Sequence, residues 1–477
     1  MTPEELYNAT SYSWVASFGR TESRDLKYYC AVYQNRIIEV YDFEGYEEEI
    51  PKRKPTRYFL KGHVSREEMR NDLIGKDVSS IHKGKGNPIK YTRLSTLLSL
   101  ESDGVPSGLD ETVEEMLESV DFVNHVYSYI TSGGFCYSLS NIMNLYLSLR
   151  SKPFVIISGI SGTGKTKIVQ LFAESIGATE DSGQFKLIPV RPDWSDSSEL
   201  LGYVDLKGDF KKGPLTEMIE HALDHPNLPH FVLLDEMNLA RVEYYFSDLL
   251  SVMESRRRDG DEIISSTLLD EKYMGRSIGL PENLYVIGTV NMDETTHPFS
   301  KKVLDRANTI EFNEVDLNNF DFLEGSDETV DPIHVTNDQL KPTFITLKDI
   351  YSTHMYLIQK VSQKLDDINR KLELINAQVG YRVRDEICFY MVHSQDGGLL
   401  DEEEAFDLCI MQKVLPRITG GDSRIELVLQ QLYEQFTGIS FDATNVQASV
   451  DYPRSTKKIV EMLRRYQTDG FTSFWIS

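Results

Sequence analysis

The residues best suited to chemistry in this 477-residue chain form one glycine-rich run. In such a run, glycines let backbone amides curl around phosphate groups at the start of a helix, and a lysine reaches the β- and γ-phosphate oxygens. The hydroxyl after that lysine ligates Mg²⁺, so Thr166 is a predicted metal ligand. We predict that nucleotide phosphates are bound by Gly159, Ile160, Ser161, Gly162, Thr163, Gly164, Lys165 and Thr166.

The segments around this run have the elements that such a loop requires. An apolar strand pattern precedes it at 154–158, and a helical pattern follows it at 167–175. A second apolar strand pattern, 230–234, ends in Asp235 and Glu236. We predict that Asp235 holds the magnesium ion and that Glu236 orients and deprotonates the attacking water.

A third apolar strand pattern, 283–290, ends at Asn291. A polar side chain at the tip of a strand between the two motif strands can hold the attacking water, and we assign that role to Asn291. From 154 to about 312, short apolar runs alternate with helical stretches, which predicts an α/β domain with a parallel sheet. From about 340 onward the pattern is mostly helical.

Length and pattern together predict a multidomain protein. Domains usually have roughly 100–200 residues, so this length indicates about three units. We divide the chain into a small β-rich domain at 1–95, a linker with helices at 96–138, an α/β nucleotide-binding domain at 139–315 and a helical region at 316–477.

Two compositional features set the expected compartment. No apolar run approaches the roughly 18–20 residues that cross a bilayer, and the acidic start lacks the layout of a secretory signal. The four cysteines form no CxxC pair, which argues against a disulfide framework and against a zinc site. We therefore expect a cytoplasmic protein without a membrane partner.

The net charge of −25 is unevenly distributed along the chain. Residues 1–95 contain 16 Lys and Arg against 14 Asp and Glu, a balance of +2, so the remainder carries −25 − 2 = −27. A strongly acidic body is a poor binder of polyanions. Any contact with nucleic acid is therefore expected in residues 1–95.

Three segments resemble one branch of the AAA+ nucleoside triphosphatases, the branch of MoxR, midasin and McrB. They are Leu234–Arg241 (Leu-Asp-Glu-Met-Asn-Leu-Ala-Arg), Thr289–Glu294 (Thr-Val-Asn-Met-Asp-Glu) and 202–215, where that branch inserts a hairpin into its second helix. The resemblance is strongest to the McrB family and covers roughly 140–440. It implies an AAA+ α/β P-loop domain followed by an all-α lid.

The resemblance also implies roles for two arginines. Arg306 follows Asn291 by fifteen residues, where AAA+ subunits project an arginine finger into the neighbour's site. An arginine supplied by a neighbour neutralises charge that develops on the γ-phosphate. In the lid, Arg382 is preferred over Arg384 as the arginine that senses nucleotide. The implied assembly is a homo-oligomeric ring, hexameric in the family.

The McrB family is the nucleotide-hydrolysing motor of modification-dependent restriction systems, so the resemblance implies Mg²⁺ with GTP as substrate, ATP being the alternative. It further implies a separate McrC-like endonuclease subunit. It also implies recognition of double-stranded DNA, including DNA with a modified base, through a variable N-terminal domain. The McrB family has Asn-x-x-Asp at the third strand, whereas Glu294 fills the last position in this chain.

Residues 1–95 are similar in length and β-rich character to the PUA-like barrels found in some relatives. Candidates for stacking on a flipped base are Trp14, Phe18, Tyr28 and Tyr58, although each is also suited to a barrel core. Candidates for phosphate contact are Lys83, Lys85, Lys90 and the run Lys52–Lys54. Two alternatives stay open for the whole chain: a MoxR-like ATPase that remodels a protein partner, and a slow nucleotide switch, against which the intact Asp235–Glu236 pair argues.

Overall fold

In the computed structural model, the chain divides into two compact units, residues 1–115 and 116–477. The structure describes residues 27–33, 36–48, 58–66, 69–70, 73–74, 76, 116–259, 262–291, 296–313, 318, 329–444 and 446–475.

The first unit contains a three-stranded antiparallel sheet in the order β1-β2-β3. The strands are β1 (Tyr28–Tyr33), β2 (Arg36–Glu48) and β3 (Tyr58–Val64). Ile37, Val40 and Leu73 form a small apolar cluster beneath it. The described part of the predicted β-rich domain thus contains strands, and β2 is long because its first half pairs with β1 and its second half with β3.

The described part of this sheet does not amount to a barrel, so the PUA-like fold stays a prediction. Tyr28 is half-buried within it. The other predicted nucleic-acid contacts lie outside the residues that the structure describes, namely Trp14, Phe18, the side chain of Tyr58, Lys52–Lys54, Lys83, Lys85 and Lys90.

In the second unit, a five-stranded parallel sheet has the order β12-β4-β11-β8-β5. Its strands are β4 (Phe154–Gly159), β5 (Phe185–Pro189), β8 (His230–Asp235), β11 (Leu284–Asn291) and β12 (Asn308–Glu311). Short antiparallel pairs join β6 (Gly202–Val204) to β7 (Phe210–Lys212), β9 (Arg257–Asp259) to β10 (Glu262–Ile264), and β13 (Thr419–Gly420) to β14 (Thr472–Ser473).

In the first unit, the described residues 69, 70 and 73 are α-helical. The α-helices whose bounds are described lie in the second unit. They are α1 (Ser119–Ser132), α2 (Leu139–Ser151), α3 (Lys165–Ser175), α4 (Ser198–Leu201), α5 (Pro214–Asp224), α6 (Val242–Tyr245), α7 (Ser247–Glu254), α8 (Glu271–Met274), α9 (Lys301–Leu304), α10 (Tyr351–Leu372), α11 (Tyr381–Asp396), α12 (Glu402–Cys409), α13 (Ser423–Thr437) and α14 (Pro453–Asp469). Among these helices, none combines the length and the apolar character needed to cross a bilayer.

The predicted parallel sheet and the helical C-terminal region are both confirmed. The sheet strands are almost entirely buried, as expected for strands covered on both faces. One helix, α11, was not predicted as an element. Ten of its residues are buried, so it has no polar stripe and shows no helical periodicity in the sequence.

The sheet order explains how distant motifs meet. Strand β11 lies between β4 and β8, with Asn291 beside Gly159 and Gly288 beside Leu234. Parallel strands end at the same edge of a sheet, so the ends of β4, β8 and β11 form one surface.

Candidate functional site

The glycine-rich loop connects β4 to α3 with two glycines in the left-handed region. Gly162 and Gly164 both have φ +84. A Cβ on Gly164 would lie 2.4 Å from the hydroxyl oxygen of Tyr137, which donates a hydrogen bond of 2.9 Å to the Gly164 carbonyl. Glycine is therefore required at position 164 for two reasons: the backbone is left-handed, and the Tyr137 hydroxyl occupies the space that a Cβ would need.

Lys165 lies beneath the loop with 6% of its surface exposed. Its Nζ donates hydrogen bonds to the carbonyls of Gly159 (3.0 Å) and Ile160 (2.6 Å). Burial lowers the pKa of this lysine, while the charges of Asp235 and Glu236 act in the opposite direction. The Lys165 ammonium is thus held at the centre of the loop, close enough to Asp235 and Glu236 for their charges to act on it.

The acidic pair at the end of β8 is held by one hydroxyl group from helix α3 and one from strand β11. Asp235 Oδ1 accepts hydrogen bonds from Thr166 Oγ1 (2.8 Å) and from Thr289 Oγ1 (2.6 Å). The Glu236 amide donates to the same Thr289 Oγ1 at 3.2 Å. Asn291 Nδ2 donates to Glu236 Oε1 at 3.1 Å, so all five side chains meet at one edge of the sheet.

Glu236 has φ +53, a conformation that non-glycine residues rarely adopt. Residues in sparsely populated backbone regions cost of order 1–3 kcal/mol and cluster at functional sites. The left-handed turn follows directly after Asp235, and the Glu236 side chain is exposed. The two neighbouring carboxylates therefore have different surroundings, one among hydroxyl donors and the other facing solvent.

The oxygen donors of Thr166 and Asp235 fit a magnesium ion. Mg²⁺ prefers hard oxygen ligands and is bound through one or two carboxylates together with substrate phosphates. The Thr166 hydroxyl and an Asp235 oxygen already lie 2.8 Å apart at the start of α3. These two residues are the ones that would hold the ion.

Three further residues support the site without having been predicted. Thr289 joins Asp235 to Glu236, Tyr137 contacts the loop at Gly164, and Asn313 Oδ1 accepts a hydrogen bond from the Ile160 amide at 3.0 Å. Thr289 had a usable signal, because residues two apart on a strand face the same side and Asn291 follows it by two. Tyr137 and Asn313 have no local signal.

The two predicted arginines lie together, away from the loop's own hydrogen bonds. Arg306 and Arg382 each form an ion pair with Glu254 at the end of α7, one on each carboxylate oxygen. Burial lowers the pKa of Arg306, and the charge of Arg382 adds to that effect. Arg384 instead pairs with the adjacent Asp385 at 2.7 Å, so of the two lid arginines only Arg382 shares a carboxylate with Arg306.

Charged residues of the helical region bind both sequence neighbours of Arg306. Lys413 Nζ donates to the Ala307 carbonyl (2.6 Å) and to Glu386 Oε2 (2.5 Å). Arg417 pairs with Asp305, with 5% of the arginine side chain exposed. Burial alone would raise the pKa of Glu386, but the charges of Lys152 and Lys413 lower it overall, so the carboxylate is ionised.

A hairpin formed by β6 and β7 separates α4 from α5, as the resemblance over 202–215 implied. Tyr203, Val204 and Leu206 are exposed on it. A second hairpin, β9 and β10, precedes β11 and contains the exposed Arg257 and Arg258. Both hairpins are short insertions in an otherwise regular alternation of strands and helices.

Comparison with known families separates the second unit into two matched regions. Residues 154–307 match the AAA domain (dynein-related subfamily). Residues 330–471 match a domain of unknown function (DUF8727), which corresponds to most of the helical region.

Two individual proteins are also similar. The chain is 20% identical over 266 residues to the EcoKMcrB subunit of a Type IV methyl-directed restriction enzyme from Escherichia coli (strain K12), covering 55% of this chain and 53% of that protein. The chain thus spans about half the length of this curated relative. A crystal structure of an ATPase candidate from Cytophaga hutchinsonii ATCC 33406 is 19% identical, covers 63% of this chain and 88% of its own, and has a TM-score of 0.37.

The sheet, the loop and the acidic pair lie within the matched region. The strand order places the three motif-bearing strands side by side, and the match covers all three. Residues 154–307 of this chain are therefore an AAA+ nucleoside triphosphatase domain of the dynein-related type.

Proposed function

We propose that the chain is a magnesium-dependent nucleoside triphosphatase that drives a restriction system of the McrBC kind. The observation that carries the hydrolytic part is the meeting of Thr166, Asp235, Thr289, Glu236 and Asn291 at one edge of the sheet. A general base must lie within hydrogen-bonding reach of the water it deprotonates, and Glu236 is both exposed and oriented by Asn291.

In the proposed reaction, Lys165 and the loop amides bind the β- and γ-phosphates. Glu236 accepts a proton from water while the water oxygen bonds to the γ-phosphorus and the bond to the bridging oxygen breaks. The products are a nucleoside diphosphate and inorganic phosphate. Bound Mg²⁺ supplies neutralisation of the phosphate charge.

We further propose that Arg306 and Arg382 act together on the nucleotide of a neighbouring subunit in a hexameric ring. The shared contact with Glu254 supports a common role, since two guanidinium groups that meet at one carboxylate can also meet at one phosphate group. The Nε of Arg306 has no hydrogen-bond partner within the described residues and is buried. Glu254 then serves as a stand-in for the anion that the two arginines would bind.

Mixed rings test this proposal. Arg306→Ala protein should be inactive, and adding excess Glu236→Gln protein should restore part of the hydrolysis, because an intact Glu236 and an intact Arg306 then share one interface. Arg382→Ala should behave like Arg306→Ala, whereas Arg384→Ala is the matched control and should retain activity. Absence of rescue in rings of verified mixed composition would contradict action in trans.

The restriction role rests on the similarity to the EcoKMcrB subunit. From it we propose GTP as the preferred substrate, a separate McrC-like endonuclease as partner, and recognition of double-stranded DNA by residues 1–95. The net charge of +2 in residues 1–95, against −27 in the rest of the chain, supports DNA binding by residues 1–95 and not by the remainder. Turnover of GTP and ATP at equal concentrations tests the first part, and nucleotide-stimulated DNA cleavage after copurification with the endonuclease tests the second.

DNA binding by the full chain distinguishes a restriction motor, which must bind DNA, from an ATPase that remodels a protein partner. Replacing Lys83, Lys85 and Lys90 with alanine should weaken binding to every duplex about equally and reduce its salt dependence, because phosphate contacts do not specify sequence. A matched variant replaces Lys272, Lys341 and Lys348 of the second unit and should bind normally. Fluorescence anisotropy with methylated and unmethylated duplexes at two salt concentrations is the measurement.

The alternative is a MoxR-like ATPase that remodels a protein partner. The acidic second unit, with most of the −27 charge, and the exposed apolar residues of the β6–β7 hairpin favour it. If the full chain binds no duplex at low salt, this alternative becomes the better account. Preference for ATP over GTP would point in the same direction.

A further inference from the structure

Three histidines lie together at the edge of the sheet opposite the phosphate-binding loop. His221 is in the last turn of α5, His225 is the residue at the helix end, and His230 is the first residue of β8. One nitrogen from each lies within 4.8 Å of the other two. His221 and His225 are four residues apart, the spacing that places two side chains on one face of a helix.

The hydrogen bonds determine which nitrogen atoms carry lone pairs toward the cluster. His225 Nδ1 lies 3.0 Å from the carbonyl of His221, and His230 Nδ1 lies 2.9 Å from the carbonyl of Leu228. A carbonyl only accepts, so both Nδ1 atoms carry the hydrogen and both Nε2 atoms carry a lone pair. Asn283 Nδ2 also lies 3.2 Å from His230 Nδ1, and the lone pair of His230 Nε2 faces His221 Nδ1. A metal-binding histidine nearly always donates its other ring N–H in this way.

The third histidine completes the set. His221 Nδ1 lies 2.9 Å from His230 Nε2. Three imidazoles around Zn²⁺, each about 2.0–2.1 Å from a tetrahedral metal, would place their nitrogens about 3.3 Å apart. The His221–His230 pair is already close to that separation. The His225 ring is stacked on His221 with 4.4 Å between ring centroids, so binding requires rotation of this exposed side chain.

We propose that His221, His225 and His230 bind a borderline transition-metal ion, Zn²⁺ in the first instance, with a water molecule as fourth ligand. Imidazole nitrogens suit Zn²⁺ rather than Mg²⁺, which prefers oxygen. The site is accessible from one side, because His225 is exposed and His221 half-buried while His230 is buried. The cysteines had argued against zinc, but this site uses none of them.

The surroundings hold the turn that carries the ligands and the ring of His221. Asn283 Nδ2 lies 3.0 Å from the Ala222 carbonyl, 3.0 Å from the His225 carbonyl and 2.8 Å from the Leu228 carbonyl, and so holds the turn between α5 and β8. Gly183 faces His221, and a Cβ there would lie 2.7 Å from His221 Nε2. A side chain at 183 would therefore displace the ring.

The bound ion would have a structural role. It would join the end of α5 to the beginning of β8, the strand that ends in Asp235, and it lies at the amino end of that strand whereas the acidic pair lies at the carboxyl end. Zinc should therefore raise the melting temperature of the chain without being required for phosphate binding. Without a metal, the same rings would be joined by a hydrogen bond between His221 Nδ1 and His230 Nε2.

The test is a Zn²⁺ titration of the chelator-treated full chain, in millimolar Mg²⁺, against a chromophoric competitor. Wild type should bind one Zn²⁺ per chain, His225→Ala should bind it at least about 100-fold more weakly, and His334→Ala, which removes an exposed histidine elsewhere in the same unit, should match wild type. A Zn²⁺-dependent rise in melting temperature should be present in wild type and His334→Ala only.

Cobalt substitution distinguishes this site from one built on cysteine. Co²⁺ bound by three imidazoles should give visible ligand-field bands without the sulfur-to-metal charge-transfer band of a thiolate. Equal Zn²⁺ affinity in His225→Ala and wild type, a thiolate band, or no binding at micromolar Zn²⁺ would each overturn the proposal. Circular dichroism of His225→Ala checks its fold, which an exposed position should leave unchanged.

Discussion

Replacing Thr289 with valine should slow hydrolysis without preventing nucleotide binding. The Thr289 hydroxyl donates to Asp235 Oδ1 at 2.6 Å and accepts from the Glu236 amide at 3.2 Å. Valine keeps the branched shape of the buried side chain and removes both hydrogen bonds. Asp235 then keeps Thr166 as a partner, but Glu236 loses the contact that holds its backbone in the left-handed turn.

The size of the effect follows from these contacts. A hydrogen bond to a charged group contributes roughly 1.5–3 kcal/mol. At 1.36 kcal/mol per tenfold change in rate, loss of that bond corresponds to a decrease in kcat of about 10- to 150-fold. The affinity for nucleotide measured in chelator should stay unchanged, because the loop amides and Lys165 do not contact Thr289.

Thr309 offers a matched control. Thr289 and Thr309 are both 2% exposed and both lie on strands of the same sheet, but Thr309 Oγ1 has no hydrogen-bond partner within the described residues. Thr309→Val should therefore leave kcat unchanged and stability equal or slightly higher. The assay is steady-state phosphate release together with melting temperature for both variants. An equal kcat in the two variants would refute the role assigned to Thr289.

Three further predictions concern the base, the helical region and acid stability. Glu236→Gln should bind nucleotide and Mg²⁺ normally but lose turnover by about 10²–10⁴-fold in phosphate-release assays. Lys165→Ala should instead weaken the binding of nucleotide. Near-normal hydrolysis by Glu236→Gln would show that another residue is the base. Arg417→Met should lower the free energy of unfolding by about 1–3 kcal/mol in denaturant titrations, because it removes a buried guanidinium that binds Asp305 and the carbonyls of Lys413 and Gln378. Arg424→Met, at a fully exposed pair, should leave it close to the wild-type value. Burial, with a smaller effect from the charge of Arg150, lowers the pKa of His393 to about 3, so below about pH 6.5 the unfolded chain binds a proton that the folded chain does not bind. The free energy of unfolding should therefore fall as pH decreases from 6.5 toward 3. His393→Phe should reduce that slope by up to about 1.4 kcal/mol per pH unit, and equal slopes in the two proteins would contradict the assignment.

Much of the nucleotide site could be predicted from sequence because its residues stand at fixed positions relative to strands. Gly159 and Asn291 are separated by more than a hundred positions, yet each ends a strand of one parallel sheet, and the topology places them side by side. The strands themselves are continuous apolar runs, which are unambiguous when both faces of a sheet are covered. Local pattern and global fold therefore point to the same residues.

The residues that the sequence did not indicate depend on contacts across elements. Helix α11 has buried residues on every side, which removes the periodic signal of an amphipathic helix. Tyr137 precedes α2 and reaches Gly164, and its importance is visible only from the 2.9 Å hydrogen bond. The histidine site combines a helix end with a strand start, so neither segment alone indicates a metal.

The contacts of Arg306 within the single chain differ from the action in trans that we propose for it. Arg306 was assigned to a neighbour's site, and the chain by itself pairs it with Glu254, which also binds Arg382. The two are consistent if Arg306 and Arg382 exchange partners when a neighbouring subunit binds. The γ-phosphate of the neighbour's nucleotide, an anion of higher charge, would then replace the Glu254 carboxylate as their partner. Because Lys413 binds the Ala307 carbonyl and Arg417 binds the Asp305 side chain, the exchange requires rotation of the Arg306 side chain and not movement of the turn that carries it. Formation of the subunit interface would then have to offset the free energy lost when the ion pairs of Glu254 with Arg306 and Arg382 break.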